Sequence, residues 1–349
     1  MRFALIFHIG AGYQSLAKEK EYLNLCSTVV DKFKFLTRND ISLYDLASFI
    51  IDSIENSHLT NSGYGSNLTQ NGNIECESAA MESSSLRFAA LGCLKHVKNP
   101  GTVAIRFLQA QIERPVSSIG RIFPAFLVGP GAEEFIAKDL EMELVEERDL
   151  IHQSAYNYWK KYSLLLAEDK EEEYIPSSKR QRNDTIGLVL LSDDGKIITV
   201  SSSGGIALKR EGRIGHSCIY GAGLWAEKNI GIVSSGTGEQ IVRTCLAKKM
   251  GQNLINSLNS SETLEKTMKD DFLYSEFLQN ETNRKYVGVV GLNFNKSEDI
   301  LELFCAHTTQ SMGYGYCFVN SRGKYSSEVK ISRKSKEKET AISVFATKF

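Results

Sequence analysis

The residues best placed for chemistry stand where a charged stretch gives way to an apolar one, in Asn183-Asp184-Thr185-Ile186-Gly187. A threonine opening a buried strand, preceded by a helix-breaking segment, is what an N-terminal nucleophile requires. Cutting between Asp184 and Thr185 gives Thr185 a free α-amine beside its own hydroxyl. Such an amine titrates unperturbed at about 7.7 to 8.0, low enough to act as general base near neutral pH. Nucleophile and base then come from one residue, with no distant histidine.

A second group follows in Ser201-Ser202-Ser203-Gly204-Gly205, Gly212-Arg213-Ile214-Gly215-His216 and Ser234-Ser235-Gly236-Thr237-Gly238-Glu239-Gln240. In the last run small residues lead directly into a helix, so backbone N–H groups and a hydroxyl can point at developing negative charge. Each run by itself is commonly an ordinary turn. Their succession after a Thr-Ile-Gly strand start reads as an oxyanion hole beside a nucleophile.

The elements that must hold these groups are legible from periodicity. Phe3 to Phe7 reads as a buried first strand running into His8-Ile9-Gly10-Ala11-Gly12, and helices follow over Ser15 to Leu36 and over Ser42 to Asn56, the second behind a Ser cap. The polar run Thr60 to Leu68 reads as a structured loop before a strand at Asn73 to Ala79. An acidic helix is expected over Ala132 to Glu147. Another, over Ile151 to Ala167, places Ala155, Trp159, Tyr162 and Leu166 on one stripe, for packing on its own domain or for a partner. The segment Glu168 to Asn183 then reads as a solvated linker, with Lys179, Arg180 and Arg182 as a minor nuclear-import reading.

After the linker a hairpin is expected, Ile186 to Leu191 and Ile197 to Ser201 around Asp193-Asp194-Gly195. Further strands are expected at Ser217 to Tyr220, Ile230 to Ser234, Tyr286 to Phe294, Leu301 to His307 and Tyr316 to Asn320, with helices at Glu239 to Leu258 and Glu262 to Phe272. That order predicts a layered α/β protein with its sheets inside. The basic tail Lys330 to Lys338 reads as solvated.

Composition narrows the function classes. The 349 residues carry 41 basic and 42 acidic side chains, which removes the electrostatic footprint of a nucleic-acid binder. No apolar run approaches the roughly 20 residues of a membrane span. Seven dispersed cysteines without a CxxC read as reduced thiols in a cytoplasmic or nuclear compartment, and no spacing suits a metal. Cys76, Cys218 and Cys305 read as core residues. At about 150 residues per domain the length suggests two units.

Taken in chain order, several longer motifs carry a resemblance. They are His8-Ile9-Gly10-Ala11-Gly12-Tyr13, Thr60 to Leu68 with Gly72 to Cys76, Lys98-Asn99-Pro100, Gly120 to Gly129, the region of Thr185, Gly221 to Glu227 and His307 to Met312. With them the chain resembles the type-2 asparaginase group of the N-terminal nucleophile hydrolases, and within it the threonine-aspartase (taspase) branch. The resemblance implies a four-layer αββα sandwich spanning residues 1–349 as one domain. It implies a precursor that cuts itself into an α piece, 1–184, ending in a helical or mobile linker from about 150, and a β piece, 185–349. Thr185 is implied as nucleophile, Ser203 as its hydroxyl neighbour, and Arg213 as the binder of a substrate carboxylate. Ser235 and the Gly236 N–H are implied as oxyanion hole, with Gly238 lining the pocket. Serine at 203 and 235, where the group commonly has threonine, keeps the hydroxyl and lacks the methyl that restricts its rotamer.

The departure that separates the branches is His216, where asparaginases carry an acid that pairs with the substrate's α-ammonium. An internal aspartate has no such ammonium. The resemblance therefore implies cleavage of partner proteins after aspartate, with no cofactor, metal, nucleic acid or membrane, by an α/β heterodimer that can pair into a heterotetramer. Alternative readings are an asparaginase or isoaspartyl peptidase of the same fold, and an uncleaved binding protein using the linker and the Trp159 helix. His8 and His307 are candidates to orient groups, or core histidines; Asn61 and Ser66 are candidates to brace the nucleophile region or hold a structural cation.

Overall fold

The first strand, β1 (Phe3–Gly12), is buried on both faces. Phe3, Leu5, Phe7 and Ile9 join one apolar cluster; Ala4, Ile6 and Ala11 join another. This two-sided burial is why its sequence is a continuous apolar run. The computed structural model that shows this describes residues 3–113, 119–167, 185–255, 257, 259–320, 322–334 and 341–349. Asp184, the charged run 168–183 and residues 335–338 of the basic tail lie outside the described residues.

A short 3-10 turn, Leu16–Lys18, leads into α1 (Glu19–Leu36), and α2 (Leu43–Glu55) follows. Ser42 caps α2 by accepting the Asp45 N–H at 3.0 Å. The chain continues through β2 (Cys76–Glu82), β3 (Phe88–Leu94), α3 (Pro100–Glu113), β4 (Phe126–Val128), α4 (Gly129–Lys138), α5 (Glu147–Leu150) and α6 (Gln153–Ala167). From Thr185 onward come β5 (Ile186–Leu191), β6 (Ile197–Ser203), β7 (Leu224–Glu227), β8 (Ile230–Gly236), α7 (Gly238–Thr244), α8 (Leu246–Leu254) and α9 (Ser260–Thr267). A π-helical turn, Met268–Leu273, extends α9, and β9 (Val287–Asn295), β10 (Ile300–His307), β11 (Ser311–Val319), β12 (Tyr325–Arg333) and β13 (Ser343–Lys348) complete the described chain.

Two sheets result, an eight-stranded one ordered β12-β11-β1-β5-β6-β2-β3-β4 and a five-stranded one ordered β13-β10-β9-β8-β7. They pack face to face through β1, β2, β5 and β6 against β7, β8 and β9. Helices α1, α2 and α3 cover the outer face of the larger sheet, and α8 and α9 cover the smaller. The layers are α, β, β, α, as the resemblance implies. One apolar cluster lies under α1 to α3; the second fills the space between the sheets and under α7 to α9.

Several sequence expectations are corrected. Ser217 to Tyr220 is a turn, not a strand: Ser217 and Cys218 are buried, and the Ile219 N–H bonds back to His216 O. The helix expected over 239–258 is two, α7 and α8, because Cys245 takes a left-handed conformation at φ 45°; the apolar spacing runs on across the break and hides it. The acidic helix ends at Lys138; Glu141 is left-handed, and the Val145 N–H bonds instead to His96 O. The strand expected at 73–79 starts later, at Cys76, and runs to Glu82. The basic tail is not wholly solvated, since β12 carries it to Arg333 in register with β11. Of the α6 stripe, Ala155 is buried and the Trp159 Nε1–H donates to Gln70 O, while Tyr162 is half-buried and Leu166 is exposed. That helix packs on its own domain through its first half.

Among the described residues no helix is long and apolar enough to cross a membrane, and no cluster of three His, Cys, Asp or Glu side chains is placed to hold a metal. All seven cysteines are free thiols, and Cys76, Cys218 and Cys305 are buried.

Candidate active site

Strand register brings the chemistry together. The β5–β6 pairing sets Ile186 opposite Ser202, so Thr185 stands beside Ser203 at the strand ends. The β6–β2 pairing sets Ser203 opposite Glu77. Alternation then puts Thr185, Ser203 and Glu77 on the face that looks between the sheets, one row across three strands. Thr185 Oγ1 donates to Ser203 Oγ at 3.2 Å, and the Gly205 N–H donates to the same oxygen at 3.0 Å. Thr185 is only 4% exposed, so its hydroxyl is held rather than solvated.

These residues open on a small polar cleft lined by Asn61, Glu77, Thr185, Ser203, Gly205, Ile206, Arg213, His216, Gly236 and Gly238. It therefore brings together Thr185, Ser203, Arg213, His216, Gly236 and Gly238. Ser235 sits one residue behind Gly236, fully buried, with its Oγ accepting the Ala11 N–H at 3.0 Å. Gly236 adopts φ +146°, and a Cβ there would come within 2.3 Å of Tyr286 O. Gly236→Ala is therefore expected to cost about 2 to 4 kcal/mol and to spoil the backbone donor, read as a lower denaturation midpoint together with lost turnover.

Among the described residues that line the cleft Arg213 is the cation, and its side chain is 16% exposed. Its Nε and Nη2 both donate to Glu239 Oε1, at 2.9 and 2.8 Å, which steadies the guanidinium and leaves Nη1 to the cleft. The Arg213 charge holds the Glu239 carboxyl below its usual range against the opposing effect of burial. Gly238 makes room for this group: a Cβ there would lie 2.8 Å from Arg213 Nη2.

His216 is buried, and its Nε2 lies 3.2 Å from Ser234 O, which fixes the Nε2–H tautomer. Burial lowers it to about 4, so the ring is neutral near pH 7. Burial and the neighbouring His216 take His8 lower, to about 3. Among the described residues no well-formed hydrogen bond reaches either ring nitrogen of His8, although the Thr185 backbone lies near enough to oppose the lowering. His307 is a satisfied core histidine, bonded to Thr309 O and Ser332 Oγ and lowered by burial to about 4.

The Gly-rich loop braces the turn after β6. Asn61 Nδ2 and Asn67 Nδ2 both donate to Gly205 O, at 2.7 and 2.9 Å, and Asn61 Oδ1 accepts the Asn67 N–H. Ser66 Oγ donates to Gly63 O. The Asn61 and Ser66 side chains are thus spent on bracing.

Two carboxylates went unassigned at the level of sequence. Glu77 accepts from the Gly215 N–H at 2.6 Å and from Ser217 Oγ at 2.7 Å. Its signal was available: an acid inside a strand otherwise suited to full burial is rarely idle. Glu55 lies behind β6, where its Oε1 accepts from Ser202 Oγ at 2.6 Å and from the Gly101 N–H at 2.8 Å, while Oε2 has no partner among the described residues. Burial pushes this carboxyl up to about 8. A raised carboxyl binds its proton more tightly folded than unfolded, so its contribution is full at acid pH and is lost as pH rises through about 8. Glu55→Gln is expected to melt higher than the wild type at alkaline pH and equally at about pH 4, by thermal scans across that range.

A four-layer αββα sandwich with a threonine opening an inner strand beside a polar cleft is the architecture of an N-terminal nucleophile hydrolase. Within that class the chain belongs to the family described as Asparaginase, whose model matches residues 1–294. It is similar to the isoaspartyl peptidase of Escherichia coli, 26% identical over 256 residues, covering 70% of this chain and 74% of the relative. The isoaspartyl peptidase/L-asparaginase of Mus musculus is 29% identical over 248 residues, 70% of each chain. The plant-type L-asparaginase of Pyrococcus horikoshii is 29% identical over 249 residues, 70% of this chain and 77% of the relative.

Proposed function

We propose that the chain is a self-cleaving threonine endopeptidase that cuts partner proteins after aspartate. The observation that carries this reading is His216, a buried neutral imidazole on the cleft wall, where the asparaginases place the acid for an α-ammonium. Thr185 Oγ attacks the Asp184 carbonyl carbon while its proton passes by way of Ser203 to the Thr185 nitrogen, and the C–N bond breaks to give an ester and a free Thr185 amine. Water hydrolyses that ester. In turnover the Thr185 amine takes the hydroxyl proton, the oxyanion forms against Gly236 N–H and Ser235, and the amine returns the proton to the departing amide. Water then releases the acyl-enzyme. Arg213 seats the aspartate side-chain carboxylate by a charge-assisted contact. The cut pieces form an α/β heterodimer in the cytoplasm or nucleus.

A second reading, asparaginase or isoaspartyl peptidase, is favoured by the names of the relatives. In it the β-carbonyl is attacked and Arg213 takes the α-carboxylate. Purified protein incubated with a peptide containing an internal α-linked aspartate, with L-asparagine and with a β-aspartyl dipeptide separates the two. Cleavage of the first alone supports the endopeptidase; turnover of the other two alone supports the second reading.

A further inference from the structure

Glu77 is a lining residue of the cleft to which neither reading gives a task. It stands two strands from the nucleophile in the row Thr185, Ser203, Glu77, a backbone span of about 10 Å at the usual strand spacing. One amino-acid unit with its hydrogen bonds fills such a span. Glu77 and Arg213 look into the same space: a Cβ at Gly215 would lie 2.6 Å from Glu77 Oε1 and 2.7 Å from Arg213 Nη1. Among the described residues each carboxylate oxygen of Glu77 has one protein donor, which leaves lone-pair capacity for another. The cleft thus has a negative and a positive pole a few ångströms apart, with neutral His216 opposing neither.

We propose that Glu77 is a specificity-determining residue that receives the α-nitrogen of the bound aspartyl unit while Arg213 receives its carboxylate. This rests on the reading that Arg213 seats a carboxylate, and it holds whichever carbonyl is attacked. In an internal aspartate the nitrogen is an amide N–H and the contact is a hydrogen bond to a charged acceptor. In a free amino acid it is an ammonium and the contact is an ion pair.

The test is calorimetric binding of L-aspartate and of succinate, which has the same two carboxylates and no nitrogen, to the matured enzyme. Wild type is expected to bind aspartate about tenfold or more tighter than succinate. Glu77→Gln is expected to shrink that preference below about threefold with succinate affinity unchanged. Ser217→Ala, which removes a partner of Glu77 and keeps the carboxylate, should retain the preference. Equal binding of the two ligands by wild type, or weakening of both alike in Glu77→Gln as expected of a mere loop anchor, overturns the proposal; so does absence of binding. Self-cleavage on a gel and a melting scan report whether the variant folds. Arg213→Gln serves as control: unchanged succinate binding there places the failure in the carboxylate seat. Turnover of the internal-aspartate peptide, assayed in parallel, reports separately on the endopeptidase reading.

Discussion

Thr185→Ala is expected to run as one full-length band of 38.9 kDa on a denaturing gel and to turn over no substrate, while the wild type gives two bands near half that size. The expectation follows from economy of parts. The Thr185 hydroxyl that donates to Ser203 inside the cleft is also the group that must attack the preceding carbonyl. Removing it stops maturation, and without maturation there is no α-amine to serve as base. Loss of a hydroxyl nucleophile alone costs on the order of 10⁶-fold in turnover. Thr185→Ser separates the roles: it keeps the hydroxyl, loses the methyl that limits its rotamers, and should still cut, more slowly. A full-length, active Thr185→Ala protein would overturn the assignment, and a wild type that stays uncut would favour the non-catalytic binder.

The second large effect belongs to Arg213. Two charge-assisted hydrogen bonds to a substrate carboxylate, from Nη1 and the Nη2 hydrogen not given to Glu239, at about 1.5 to 3 kcal/mol each, predict a loss on the order of 10³-fold in kcat/KM for Arg213→Gln. The loss should be deepened by Glu239, whose carboxylate loses its partner and then repels an incoming anion. Arg213→Lys keeps the charge but cannot bond Glu239 through two nitrogens while facing the cleft, so it should recover only part of the loss. Steady-state kinetics on matched peptides with aspartate or asparagine at the recognised position check this. The variants should erase the preference for aspartate, and a preference that survives Arg213→Gln would remove Arg213 from recognition.

Much of this arrangement was legible in the chain because it is local. The hairpin of β5 and β6, with its Asp-Asp-Gly turn, fixes which residues flank Thr185. The Ser42 cap announces α2, and the runs ending in Gly205, His216 and Gly238 announce the cleft wall. What stayed hidden depends on pairing between distant segments. Glu77 reaches the site only because β2 lies against β6, and Glu55 only because α2 packs behind it. Ser217 and Cys218 read as a strand because burial and β-propensity are alike in a ladder and in an anchored turn; the Glu77 carboxylate that holds Ser217 decides it. The break at Cys245 left no mark because a left-handed residue between two amphipathic turns does not disturb their spacing.

The order of the larger sheet has a final consequence. β1, from before Thr185, is inserted between β11 and β5, from after it, and β6 is flanked in turn by β2. A cut before Thr185 would therefore leave two polypeptides woven through one sheet, each covering the other's strand edges. They cannot part as folded subunits do; separation and unfolding become the same event. Once cut, the protein's resistance to denaturant should rise with its concentration, where the uncut chain's does not. Pieces synthesised apart should each be insoluble until they fold together. Maturation is in this sense a ratchet, easily entered from the single chain and not reversed by dilution on ordinary timescales.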